Sequence, residues 1–154
     1  MEREIGFITG VFDLLHRGHI DLIEKAKNEV NNLIVGVESD FRVNLLKGDN
    51  RPYHHEQKRK ERLAKIFPDV KVMILSKKFG EEKVRQMFLK ENKVNHVFLA
   101  SNDQLLKKKM IELKKNGVKV KIIKVAYLIS STQILKNKEL MKYLVFEDDK
   151  IFYE

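Results

Sequence analysis

Cysteine is absent from the chain. Disulfides, thiolate metal sites and a cysteine nucleophile are therefore excluded, which fits a reducing compartment. Long apolar runs are missing too, and none approaches the ~18 residues of a membrane-spanning helix. The N-terminus, MEREIGFITG, is charged and its apolar run is short, so no signal peptide is expected there. Linkers, repeats and low-complexity segments are also lacking. The expectation is a soluble protein of the cytoplasm. What the chain does have is 154 residues, enough for one domain with a sizeable core. It carries 31 Lys and Arg against 22 Asp and Glu, a net charge of +9. An anionic partner follows, although charge alone does not choose among nucleotides, nucleic acid and membrane lipid.

Strand-like and helix-like segments alternate. EIGFITG, NLIVGVES, VKVMIL, NHVFLA and VKVKIIKV read as five strands. NLIVGVES is apolar on both faces, as a buried parallel strand is. Between the strands, residues 19–29 place Ile20, Ile23, Ala26 and Val30 at helical spacing, and residues 53–66 read as a helix ending before Pro68. Residues 80–91 form a helix with Val84, Met87 and Phe88 inward, DQLLKKKMIELKKNG a helix closed by Gly117, and SSTQILKN the start of a last helix. Strands separated by helices predict an α/β fold with right-handed βαβ units: a Rossmann-like three-layer α/β/α sandwich around a five-stranded parallel sheet. Residues 1–137 make up this domain and 138–154 an extension of it. The tail, MKYLVFEDDKIFYE, has no clear pattern; it either packs back on the domain or joins the interface of a homodimer. Ligands of such sheets bind beyond the carboxyl ends of the strands. The functional rim is thus TGVFDLLHRGH, ESDFRVNLLKGDNRP, LSKKFG, ASND and AYLISST, all read as loops.

The first of these carries the chemistry. Gly10 follows the first strand, where a tight turn and an approaching phosphate both favour a missing side chain. His16 and His19 stand at i and i+3 with Gly18 between them, a spacing that puts both imidazoles on one face of a starting helix. Such a helix start offers free N–H groups to a phosphate, and imidazoles add donors that change charge near pH 7. A histidine in a strand-to-helix loop is also, often, just solvated or core-satisfied. The pair could be half of a metal site, but two more ligands would be needed, and no spacing brings His54 and His55 there.

The string GVFDLLHRGH resembles the G-x-F-D-x-x-H-x-G-H signature of the cytidylyltransferase-like nucleotidyltransferases, matching at Gly10, Phe12, Asp13, His16, Gly18 and His19. LLKGDNRP is similar to the K-G-x-x-R-P segment of several members, through Lys47, Gly48, Arg51 and Pro52. Arg59 falls seven residues after Pro52, where these families place an arginine, and ISST at 129–132 resembles the motif opening their last helix. The resemblance spans residues 5–137.

It implies that a phosphate oxygen of a phosphorylated small molecule attacks the α-phosphorus of a nucleoside triphosphate and displaces pyrophosphate. Such catalysis is positioning plus charge stabilisation. By this resemblance His16, His19 and Lys47 are the catalytic residues. Thr9, Gly10, Phe12, Gly18, Arg59, Asn102, Ile129, Ser130, Ser131 and Thr132 hold the nucleotide, with Arg62 the alternative to Arg59. Asp13 and Arg51 face the acceptor, unless Asp13 only braces the loop. Magnesium comes with the triphosphate, held mostly by phosphates and water, and no resident metal is expected.

The sequence departs from the family patterns in two places. The R-T-E-G segment of the glycerol-phosphate and choline-phosphate cytidylyltransferases is replaced by Val125, Ala126, Tyr127 and Leu128. The G-G-D of the heptose-phosphate adenylyltransferases, whose L-K-G-D-S-R-P otherwise resembles LKGDNRP, becomes ASN at 100–102. The balance leans to ATP, with adenine packed near Leu128 and Ile129, and to a sugar or polyol phosphate as acceptor. A glycerol-3-phosphate cytidylyltransferase is the alternative, and archaeal-type FAD synthetases share the K-G segment. From another class, an RNA- or nucleotide-binding module without catalysis would use the lysines of LLKKKMIELKK. Those lysines spread around a helix with no interleaved aromatics, which speaks for a solvated face rather than nucleic acid.

Overall fold

The computed structural model describes residues 3–153. Five parallel strands form one sheet: β1 (Ile5–Gly10), β2 (Asn32–Val37), β3 (Lys71–Ile74), β4 (His96–Ala100) and β5 (Lys119–Ile123), in the order β3-β2-β1-β4-β5. The expected sheet is therefore present, strand for strand. The order reverses between β1 and β4. There the register pairs Gly6 with His96 and Phe7 with Val97, while β1 and β2 are paired over their whole length, Ile5–Asn32 to Gly10–Val37.

Helices cover both faces. One core cluster packs Ile20, Ile23 and Ala26 of α1 (Arg17–Lys27) and Leu63 of α3 (Glu56–Ile66) against Ile8, Val35 and Val37. A second, on the opposite face, joins Leu89 of α4 (Glu82–Glu91) and Leu113 of α5 (Leu106–Lys115) to Phe7, Ile34, Val97 and Leu99. Gly117, at φ +70°, ends α5 as expected, in the left-handed conformation that glycine adopts without penalty. In α4 the inward residues are Val84, Phe88 and Leu89; Met87, expected inward, is 52% exposed.

The sequence reading of 38–52 as a loop is corrected. Asp40–Lys47 is a helix, α2, whose N-cap Ser39 accepts a hydrogen bond from Arg42 N at 3.2 Å. Only Val43 of this helix is buried, while Phe41, Leu45 and Leu46 are exposed. With one inward residue, the helix leaves no apolar stripe to read.

The tail packs back on the domain, the first of its two expected fates. Two 3-10 segments, Lys138–Tyr143 and Glu147–Tyr153, follow α6 (Ser131–Lys136). Leu144 pairs antiparallel with His16, and Val145 N donates to Leu15 O at 3.0 Å. Leu144 also fills a third cluster with Leu14 and Ile134. Among the described residues, no helix is long and apolar enough to cross a membrane.

Candidate active site

The loop after β1 is held in an unusual shape. Phe12 and Leu14 both have positive φ, 55° and 49°, a conformation that costs non-glycine residues of the order of 1 kcal/mol each. Its anchor is Asp13, whose carboxylate is fully buried. Asp13 accepts from Tyr53 N at 2.7 Å, His54 N at 3.0 Å and Arg51 Nη2 at 3.3 Å. Its backbone carbonyl accepts from the Ser131 hydroxyl. Asp13 and Arg51 thus stitch the first loop to the segment before α3 and to α6, where Arg51 Nη1 also donates to Thr132 Oγ1 at 3.0 Å. Neither Asp13 nor Arg51 borders the cleft that opens beside His16 and His19. Of the two roles weighed for Asp13, this geometry supplies the brace.

The two histidines open α1 as a reciprocal cap. His16 is the N-cap; its Nδ1 accepts from Gly18 N at 3.1 Å, and His19 Nδ1 accepts from His16 N at 3.2 Å. A nitrogen that accepts from a backbone N–H carries no proton, so in the neutral rings the proton sits on Nε2. The rings stack at 3.7 Å between centroids. Burial, and then the charge of Lys47, lowers His16 to about 4. Burial, His16 and Lys47 together hold His19 well below its usual value. At neutral pH both rings are uncharged donors, and His16 Nε2 has no partner among the described residues. Gly18 is needed for this cap. A Cβ there would lie 2.9 Å from His16 Cε1, so the missing side chain makes room for the His16 ring.

A cleft of about 250 Å³ lies beside the pair, at the β1/β4 switch. Thr9, Gly10 and Phe12 border it from the first loop, His16, Gly18 and His19 from α1, and Lys47 from α2. Asn102, Ile129, Ser130 and Ser131 close the other side. Ser130 caps α6, its Oγ accepting from Gln133 N at 3.1 Å. Partial burial, then Arg51, lowers the proton affinity of Lys47, while Asp13 opposes them.

Arg59 and Arg62 depart from expectation. Arg59 is 1% exposed and does not border the cleft. Its Nε donates to His54 O at 2.9 Å, Nη1 to Val11 O and Glu38 O at 2.8 Å each, and Nη2 to Asp40 at 2.8 Å. The guanidinium is spent on tying the ends of β1 and β2 to α3, which leaves little of it for a phosphate. Arg62 is buried against Asp149 and donates to Asp148 at 3.2 Å. It holds the tail. Thr132, held by Arg51, also lies off the cleft lining.

Sequence reasoning had Val11 and Ala100 only within rim loops, without singling them out, and did not place Asp21 and Leu22 on the cleft, where the structure does. Asp21 and Leu22 follow Gly18 by three and four residues, a helical spacing that could have found them. Val125 and Tyr127 border the cleft, whereas Leu128, expected against the base, is 74% exposed and does not border it. Among the described residues no three His, Asp or Glu side chains converge as a metal cluster. The cleft's one carboxylate, Asp21, is paired with Lys25 at 3.0 Å. That donor set suits an ion that arrives on a polyphosphate better than a resident one.

A doubly wound parallel sheet with a histidine-capped helix at its switch point is the Rossmann-like arrangement expected of a nucleotidyltransferase. The chain belongs to the cytidylyltransferase-like family, whose model matches residues 7–145. Among curated proteins it is similar to the bifunctional protein HldE of Rhodopseudomonas palustris, 45% identical over 62 residues. It is likewise similar to that of Rhodospirillum rubrum, 44% identical over 78 residues. These matches cover 40% and 51% of this chain but only 13% and 15% of the relatives. Among solved structures, a lipopolysaccharide core biosynthesis protein from Thermoplasma volcanium superposes with a TM-score of 0.63 at 25% identity, covering 83% of this chain and all of that one. Pantothenate synthetase from Thermus thermophilus shares the fold, with a TM-score of 0.62 at 18% identity over 92% of this chain and 65% of that one.

Proposed function

We propose that the protein transfers a nucleoside monophosphate from ATP to a phosphorylated sugar or polyol. An acceptor phosphate oxygen forms the new bond to the α-phosphorus, the bond from that phosphorus to the bridging oxygen breaks, and pyrophosphate leaves with the electron pair. The attacking oxygen is already anionic, so no side chain need activate it. The observation that carries this reading is the histidine pair. Two neutral rings with Nδ1 fixed by backbone N–H groups have only Nε2–H to give, and a preorganised donor is what growing oxyanion charge requires. Lys47, on the same cleft, adds a full positive charge beside the phosphates. Magnesium would enter as part of the nucleotide complex and neutralise phosphate charge, with Ser130 and Ser131 bordering the same space.

The adenylyl reading is supported by the wall of Val125, Tyr127 and Ile129. A purine gains more than a pyrimidine from apolar contact there, because it presents the larger ring face. The sugar or polyol acceptor rests on the LKGDNRP segment and on the partial match to the HldE proteins. Calorimetric titration with ATP and with CTP, at equal magnesium and salt, tests the base. Tighter binding of ATP is expected, and tighter binding of CTP would replace this reading with the glycerol-3-phosphate-type cytidylyltransferase. Pyrophosphate release on adding acceptor separates an enzyme from a nucleotide-binding module.

A further inference from the structure

A second cavity, a groove of about 370 Å³, runs from the cleft to the other face of the sheet, and Thr9, Leu22 and Ala100 border both. Its walls are apolar where Phe79, Leu89, Leu105 and Leu113 meet. Its charged residues are mostly closed on one another: Arg85 on Glu112 through two hydrogen bonds of 2.8 and 2.5 Å, and Lys109 on Asp103 at 2.6 Å. One pair is closed only as a long ion pair. Glu38, at the end of β2 and 9% exposed, stands with Oε2 3.5 Å from Arg42 Nε. That distance is at the outer limit of a hydrogen bond, and both atoms, like Thr9 Oγ1 at the junction of the two cavities, are buried without a hydrogen-bond partner. Buried polar atoms in that state are costly unless a ligand or water satisfies them. The Arg42 guanidinium is fixed over Gly80, where a Cβ would come within 2.6 Å of Nη1.

Resting on the nucleotidyl-transfer reading, we infer that this groove receives the carbon body of the acceptor and that Glu38 and Arg42 recognise adjacent hydroxyl groups on it, so that the acceptor is a polyhydroxylated phosphate ester rather than a choline phosphate. A carboxylate beside a guanidinium offers an acceptor and a donor side by side, which matches two neighbouring hydroxyls. A quaternary ammonium has no N–H to give Glu38 and would meet the positive charge of Arg42. Burial also pushes the Glu38 carboxyl up, more than Arg42 pulls it down, so that carboxylate gains from every hydrogen bond it accepts. The apolar walls take the C–H faces of the same body. The phosphate stays in the first cleft with Lys47, since the charges bordering the groove nearly cancel.

The test measures pyrophosphate release from the whole chain with ATP and magnesium, using glycerol 3-phosphate, mannose 1-phosphate and phosphocholine as probes, with ATP affinity measured separately by calorimetry. A polyol or sugar phosphate is expected to be turned over in preference to phosphocholine. Glu38→Gln is expected to raise the KM for that ester about tenfold or more while ATP affinity stays within about twofold. Arg42→Gln probes the same pair should Glu38→Gln fold poorly, which a melting curve would report. An unchanged acceptor KM in a folded variant, or a preference for phosphocholine, overturns the inference. If the wild type binds ATP or CTP but turns over no hydroxylated ester, the inference falls while the nucleotidyl reading stands. If neither nucleotide binds, that reading falls first.

Discussion

At the scale of single residues, His16 does two jobs that substitution can separate. It caps α1 through Nδ1 and borders the cleft with an Nε2 that has no partner among the described residues. His16→Ala loses both, whereas His16→Asn keeps a side chain that caps well. Turnover is expected to fall by roughly 100-fold in either variant, the scale of one lost oxyanion donor. In urea melts the Ala variant should be the less stable, by about 1 kcal/mol. Near-normal turnover in either would remove His16 from the chemistry. The same ring predicts a pH effect. Folding lowers His16 from 6.5 to about 4, so between those values the unfolded chain binds the extra proton and stability falls as pH falls. The full loss from this group, reached below about pH 4, is roughly 3 kcal/mol. His19 shifts in the same direction. Urea unfolding at pH 7 and pH 4.5 should therefore show a smaller decline in His16→Asn than in the wild type. The pair was legible in the sequence because two histidines and a glycine at a helix start form a local pattern. What only the fold shows is that the missing Gly18 side chain also makes room for the His16 ring.

At the scale of elements, the strands were legible and α2 was not. The inner strands β1, β2 and β4 write their burial into half or more of their residues and the edge strand β5 opens on alternating lysine and valine, whereas α2 buries Val43 alone. The arginines show the other limit. Arg59 lies where the family pattern puts a phosphate ligand, yet its donors reach three backbone carbonyls and Asp40. Backbone carbonyls leave no trace in a sequence, so nothing there separates a brace from a ligand. Arg59→Met should accordingly cost stability, about 3–5 kcal/mol, because it strands a carboxylate and buried carbonyls. At a temperature where the variant remains folded, ATP affinity should stay within about threefold of the wild type. A loss of more than about 30-fold in affinity with little change in melting would return Arg59 to the nucleotide. The tail is tied in by like means. Burial alone would raise Asp149, but hydrogen bonds from His54 and Arg62 outweigh it and hold its carboxyl below the usual range. A segment with no pattern of its own is thereby fixed against the loop that carries His16.

At the scale of the whole molecule, the +9 charge has to be reconciled with a small anionic ligand. Much of the excess lies away from the cleft: Lys107, Lys108, Lys114 and Lys115 of α5 are exposed to solvent, and none borders the first cleft. Charges farther than about 10 Å from a bound phosphate are largely screened at 0.1 M salt. The distant lysines should raise the encounter rate at low salt but add little to affinity at higher salt, while Lys47, on the cleft itself, should act at both. Lys47→Ala is therefore expected to weaken ATP binding by about tenfold, near 1.4 kcal/mol, at both 0.05 and 0.5 M salt, with the melting temperature of the free protein nearly unchanged because partial burial and Arg51 already disfavour the Lys47 charge in the folded protein. Neutralising Lys114 and Lys115 together should change affinity only at the lower salt. Single-stranded RNA should not displace ATP at 0.15 M salt, since those lysines carry no stacking aromatics among them. Calorimetry of ATP across this salt range, on the wild type and both variants, measures all of it. Equal effects of the two variants at 0.5 M would make Lys47 one surface charge among many, and would leave the histidine pair as the cleft's own contribution to holding the triphosphate.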